Sequence, residues 1–164
     1  MSVKVVDTNV AIAANGRGTH ADAQCQLACI EALEEVVKRK KIAIDDRGLI
    51  LEEYSGYLNH SGAPGVGDKF YKHVFNTQYE ENKCVRISIH PISDRRMFRE
   101  FPTAPGLTGF DRSDRKFVAV ALTVNGTAPI LNAMDSDWAD YEAELVAEGL
   151  TVIQLCPQHA QREG

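Results

Sequence analysis

The sequence predicts an α/β protein: a three-layer α/β/α sandwich around a central, mostly parallel five-stranded sheet. Two observations carry that expectation. Short β-branched runs alternate with longer segments of helical period, as in strands joined by helical crossovers. The 164 residues, 44% hydrophobic and 25% charged, also suit one domain (1–164) that buries a single core without staples.

The elements follow in chain order. Val3 to Val6 form an apolar run that stops at Asp7-Thr8-Asn9. From about Ala21 to Lys40 the apolar positions Ala23, Leu27, Ile30, Leu33 and Val37 make a helical stripe, closed by cations that suit the negative end of a helix dipole. Ile42 to Ile44 read as the second strand, and Leu49 to Leu58 as a helix after the Asp45-Asp46-Arg47-Gly48 turn. The glycine-rich stretch from His60 to Gly67 is a loop, and Asp68 to Glu81 a helix facing inward through Phe70, Tyr71 and Val74. Cys84 to Ile89 is the third strand, Asp94 to Phe101 a short helix, and Pro102 to Gly109 a second loop. Ser113 is the expected N-cap of a helix over 114–124, which Asn125-Gly126 stops. Pro129 to Asn132 form strand four, Asp135 to Glu148 one helix closed by Gly149, and Thr151 to Leu155 strand five.

Composition bounds the function. A net charge of -5 argues against a domain that holds nucleic acid by bulk charge, but not against an acidic catalytic site with local basic patches. No apolar run approaches the roughly 20 residues that span a bilayer. The N-terminus is too short and too soon charged for a signal peptide, so the expected location is the cytoplasm. Cys25, Cys29, Cys84 and Cys156 contain no C-x-x-C pair and are expected to be reduced thiols.

Acidic residues follow strands or open helices at Asp7, Asp114 and Asp135, and Glu53 lies on the helix after strand two. Ligands of parallel α/β sheets collect beyond the carboxyl ends of the strands, where strand order reverses. If strands one and four are neighbours there, Asp7 and Asp135 share a crevice. Clustered carboxylates raise one another's pKa unless a cation neutralises them, and hard oxygen ligands suit Mg²⁺ or Mn²⁺. Each acid taken singly also has a structural explanation. Asp7 can begin a turn, Asp114 can suit a helix's first turn, and Asp135 or Asp137 can cap the next helix.

Four segments resemble the motifs of PIN-domain nucleases, in the family's order. Val5-Val6-Asp7-Thr8-Asn9-Val10 resembles the first motif, and Ile50-Leu51-Glu52-Glu53-Tyr54 the second. The helix that Asp114 opens through Ala119 and Ala121 looks like the third, and Ile130 to Trp138, with Asp135-Ser136-Asp137-Trp138 at its end, looks like the last. The resemblance implies a PIN-like fold and a metal-binding set of Asp7, Glu53, Asp114 and Asp135, with Asp137 sharing the last position. It implies Mg²⁺ or Mn²⁺ as cofactor, and a nuclease acting on single-stranded nucleic acid, RNA more than DNA. The alternatives are a catalytically inactive PIN-like binding or assembly module and a DNA-cutting PIN nuclease of a phage-defence system. An antitoxin or defence-system partner protein and a homo-oligomer are also implied. Glu52 competes with Glu53, and Asp111 with Asp114. Two departures stand out: Ala133 occupies a position that often carries a hydroxyl, and the His60 to Lys83 stretch is longer than in compact toxin-like members.

The candidate substrate contacts are Thr8 and Asn9 beside Asp7, Arg17 in a Gly-Arg-Gly loop, and Arg112 and Arg115 flanking Asp114. Lys116 and the Arg95, Arg96 and Arg99 cluster are further cations near the expected site. His60 and His90 have no partner that would give them a catalytic role.

Overall fold

In the structure, a computed structural model, residues 2–17, 21–93 and 97–160 are described. Five parallel strands lie in the order β3-β2-β1-β4-β5. They are β1 (Val3–Val6), β2 (Lys41–Asp45), β3 (Cys84–Ile87), β4 (Ile130–Asn132) and β5 (Val152–Gln154). The chain winds outward from β1 to β3, then returns to build β4 and β5 on β1's other side. The reversal falls between β1 and β4, whose register pairs Val5 with Ile130 and Val6 with Leu131. The residues that leave these two strands are Asp7 on one and Ala133 to Asp135 on the other, which sets the site at the switch point.

The helices are α1 (Thr8–Ala14), α2 (Ala23–Arg39), α3 (Leu49–Tyr57), α4 (Val66–Thr77), α5 (Arg115–Thr123), α6 (Ser136–Asp140), α7 (Glu142–Ala147) and α8 (Pro157–Ala160). α1, α2 and α4 pack on one another, and α5 lies across β1, β2 and β4 to complete the α/β/α sandwich. Gly67 permits the α1–α4 contact, because a Cβ there would stand 2.0 Å from the Ala11 carbonyl oxygen. α5 explains the alanine-rich stretch in the same way. Phe117, Val118, Ala119, Val120 and Ala121 are all buried, and the small side chains let the helix lie close to the sheet.

Several expectations need correction. The sequence shows no helix after Asp7, yet α1 begins at Thr8. It is seven residues long and buried on most sides, so it lacks the polar face that produces a helical period. α2 buries Cys25, Cys29, Leu33 and Val36, while Leu27 is 54% exposed. The expected stripe was rotated because two cysteines serve as its core residues. The N-cap before α5 is not Ser113: Asp111 caps a 3-10 turn over Arg112–Asp114 by accepting from the Ser113 amide, and α5 follows directly. The expected helix from Asp135 to Glu148 is broken at Tyr141 into α6 and α7. In the expected helix 94–101, residues 97–101 are non-helical, and 94–96, with Arg95 and Arg96, lie outside the described residues.

Not all of the thiols are reduced. Cys25, in the first turn of α2, is disulfide-bonded to Cys156 just beyond β5, while Cys29 and Cys84 are free and buried. The partners are 131 residues apart, so only the packing of α2 beside the end of β5 brings them together. Among the described residues, no helix is long and apolar enough to cross a membrane.

Alkylation of the unfolded, unreduced protein is expected to label Cys29 and Cys84 alone, with Cys25 and Cys156 labelled only after reduction. Reduction should cost about 2–4 kcal/mol of stability, the usual worth of a bond closing a long loop. Four labelled cysteines before reduction would contradict the pairing.

Candidate functional site

Asp7 leaves β1 in extended conformation and caps α1 by accepting from the Asn9 amide at 2.9 Å. The same oxygen accepts from Asn9 Nδ2 at 2.7 Å, and the other oxygen from Trp138 Nε1, also at 2.7 Å. Asn9 is the hinge of the site. Its Nδ2 also donates to Asn132 Oδ1 at 3.0 Å, and its Oδ1 accepts from the Ala133 and Met134 amides at 3.0 and 2.9 Å. One side chain therefore joins the ends of β1 and β4 and orders the turn leading to Asp135. The hydroxyl missing at Ala133 leaves no gap here, because Asn9 already holds that backbone.

Asp135 ends this turn and caps α6 by accepting from the Asp137 amide at 3.0 Å. Asp114 comes from the opposite layer at the start of α5. Asp7, Asp114 and Asp135 each offer an oxygen within 4.8 Å of the others, and so do Asp111, Asp114 and Asp137. Asp114 is common to both groups. The choice between Asp111 and Asp114 thus resolves into two acids on one turn, Asp114 buried at the centre and Asp111 exposed at the rim.

Glu53 stands slightly apart from these triads. It accepts from Lys116 Nζ at 2.8 Å and from the Thr8 hydroxyl, and its charge still helps raise the pKa of Asp7 and Asp114. Glu52 is exposed, whereas Glu53 is half-buried and bonded to Thr8 and Lys116, so Glu53 is the acid that faces the cluster.

The electrostatics separate Asp114 from the other buried acids. Asp45 accepts from the amides of Arg47, Leu49 and Ile50. Asp68 accepts from the Asn59 and Gly65 amides and from Asn15 Nδ2, which draw its pKa below the ordinary value despite burial. Asp114 is 6% exposed, and its Oδ2 has no hydrogen-bond partner among the described residues. Burial, and then the charges of Asp7, Asp135, Asp111 and Glu53, push its pKa up to about 10. Asp7 is raised to about 6, chiefly by burial and further by Asp135 and Glu53, although its Asn9 bonds pull the other way. Burying a carboxylate without donors is costly, and the buried acids Asp45 and Asp68 are both given amide donors.

The expected substrate contacts divide. Thr8 and Asn9 are used within the site, on Glu53 and on the β1–β4 junction. Arg115 is not available to substrate, and this corrects its expected role. It is buried, donates to the Thr108 and Phe110 carbonyls at 2.9 and 3.1 Å, and lies over the Phe101 ring at 4.6 Å. Arg112, three residues earlier on the same turn, is exposed, as is Arg17 after α1.

Two residues carry roles that the sequence reading did not assign. Trp138 was visible only as the aromatic closing a motif, yet it is fully buried, packs edge-on against Phe110 and orients Asp7. Lys116 was one cation among several, and its pairing with Glu53 spans 63 residues. The aromatic and the cation were signals, but neither showed its partner.

No protein-family model matches the chain, and neither does any curated protein or any solved structure. The carboxylate donors and the partnerless Asp114 oxygen have the chemistry that a hard divalent cation requires.

Asp114→Asn tests the electrostatics without any metal. The acid ionises near 3.8 when unfolded and only near 10 when folded, so its contribution to stability falls as pH rises between those values. The variant is therefore expected to match the parent near pH 4 and, in chelator, to exceed it by on the order of 1–3 kcal/mol at neutral pH. Equal chemical-denaturation curves at both pH values would contradict a strained Asp114.

Proposed function

We propose that this chain is a divalent-metal-dependent nuclease that hydrolyses phosphodiester bonds in single-stranded nucleic acid, RNA in preference to DNA. The observation that carries the reading is Asp114. It is a buried carboxylate with an oxygen to which none of the described residues donates, while Asp45 and Asp68 are saturated with amides. The resemblance of four segments to PIN-domain motifs supports the same reading, as does the position of the acids at the strand-order switch point.

Asp7, Asp114 and Asp135 would hold a Mg²⁺ or Mn²⁺ ion; Asp111 and Asp137 form a second group with Asp114, and Glu53 adds its charge to the cluster. Such an ion would polarise the scissile phosphate, lower the pKa of the attacking water and neutralise the leaving oxygen. The protein's own groups prepare that chemistry. Trp138 and Asn9 keep the Asp7 carboxylate in one orientation. Lys116 holds Glu53 in a half-buried ion pair, which limits the negative charge a phosphate must approach. Arg112 provides an exposed cation on the turn that carries Asp114, suited to a phosphate flanking the cleaved bond.

Labelled single- and double-stranded RNA and DNA, incubated with Mg²⁺ or Mn²⁺, test this directly. Cleavage of single strands is expected, with loss in chelator. Asp7→Asn should leave the circular dichroism spectrum intact and lower the rate by about 100-fold or more, at least the effect of disturbing a metal's surroundings. Parent-like cleavage by this variant would reject the mechanism.

A further inference from the structure

α3 presents two tyrosines three residues apart with opposite fates. Tyr54 is buried, and its hydroxyl donates to the Val6 carbonyl at 2.5 Å, bracing the strand that delivers Asp7. Tyr57 is 58% exposed and makes no ring contact among the described residues. It lines two adjoining cavities. One, of about 430 Å³, runs from α3 to Arg112, Ser113 and Lys116 and is bounded by Glu53. The other, of about 370 Å³, continues past Gly56 and Tyr57 toward Arg17 and Asn59. Gly56 lines both, and the space above it is open, since a Cβ there would meet no atom within 4 Å.

We propose that these cavities form one groove for single-stranded nucleic acid, in which Tyr57 stacks on an unpaired base next to the cleaved phosphate. The inference rests on the nuclease reading and assigns its substrate path. The charge distribution orients the strand. Arg17 and Arg112 stand exposed at opposite ends, where backbone phosphates would lie. Glu52 lines the middle beside the neutralised Glu53–Lys116 pair, and its carboxylate would repel a phosphate but accept from the amino groups of a base. A base therefore belongs over α3, with phosphates on either side. Stacking needs a free ring face, which a paired and stacked base in a duplex does not offer.

Binding of fluorescein-labelled 12-mers to the full chain in chelator tests the groove, with single-stranded RNA, single-stranded DNA and duplex as separate arms. Tyr57→Ala should weaken single-strand binding by about 5- to 150-fold, the range for losing one stacked base. Tyr57→Trp should retain it, and Gly56→Leu should weaken it by filling the floor. Duplex binding should not respond to Tyr57→Ala, and its melting temperature should match the parent's. Unchanged single-strand affinity in Tyr57→Ala, an equal loss for duplex, or no single-strand binding by the parent would each overturn the proposal. Metal-dependent cleavage lost in Asp7→Asn but indifferent to Tyr57 would overturn the groove and leave the nuclease reading standing. Tyr57-dependent binding without cleavage would uphold the groove and reject the nuclease.

Discussion

The carboxamide of Asn9 makes four hydrogen bonds that together join the ends of two parallel strands. It donates to Asp7 and Asn132 and accepts from the amides of Ala133 and Met134. Parallel neighbours diverge where their ladder stops, and the backbone groups beyond it need partners. Here one side chain supplies them, so the turn that leads to Asp135 is ordered relative to Asp7. Asn132 extends the network by donating to the Asp135 carbonyl and to Gln154 Oε1, which connects the crevice to β5. The shape of the site follows from this junction, and the acids are carried on it.

The opposite wall is held by different means. Asp114 must face the junction from α5, so the loop before it has to end in a defined place. Arg115 anchors that loop through the Thr108 and Phe110 carbonyls, while Phe110 packs between Trp138 and Tyr141. Trp138 then closes the circuit by donating to Asp7. An arginine expected at the substrate thus works behind the site. The consequence is a frame around a carboxylate oxygen to which none of the described residues donates. Asp45 and Asp68 show the alternative, in which short-range amide donors turn a buried acid into a loop staple.

Much of the frame was legible in the residues. The five strands, the long helix α2 and the alanine-rich α5 follow from β-branched runs and period, and each strand lies within a residue or two of its expected bounds. Asp7, Asp114 and Asp135 were singled out by position alone, and the structure brings these three together. Less visible were the elements whose surroundings are uniform. α1 is buried on most sides and so has no polar face to give a period. α2 presents cysteines where a pattern of larger apolar residues was expected. The break at Tyr141 interrupts a segment that reads as one helix.

What the sequence by itself determined was local: which segments are strands, which carry helical period, and which acids stand at their ends. Those properties depend on neighbours a few residues away, through side-chain branching, capping and alternation. Tertiary structure alone decided the pairings: Cys25 with Cys156, Lys116 with Glu53, Trp138 with Asp7, and the burial of Arg115. It also separated Asp114, whose Oδ2 has no donor among the described residues, from Asp45 and Asp68, which have several. The physical reason is common to all of them. A side chain's hydrogen bonds and electrostatic environment depend on groups brought together by packing, and sequence spacing carries no record of those distances.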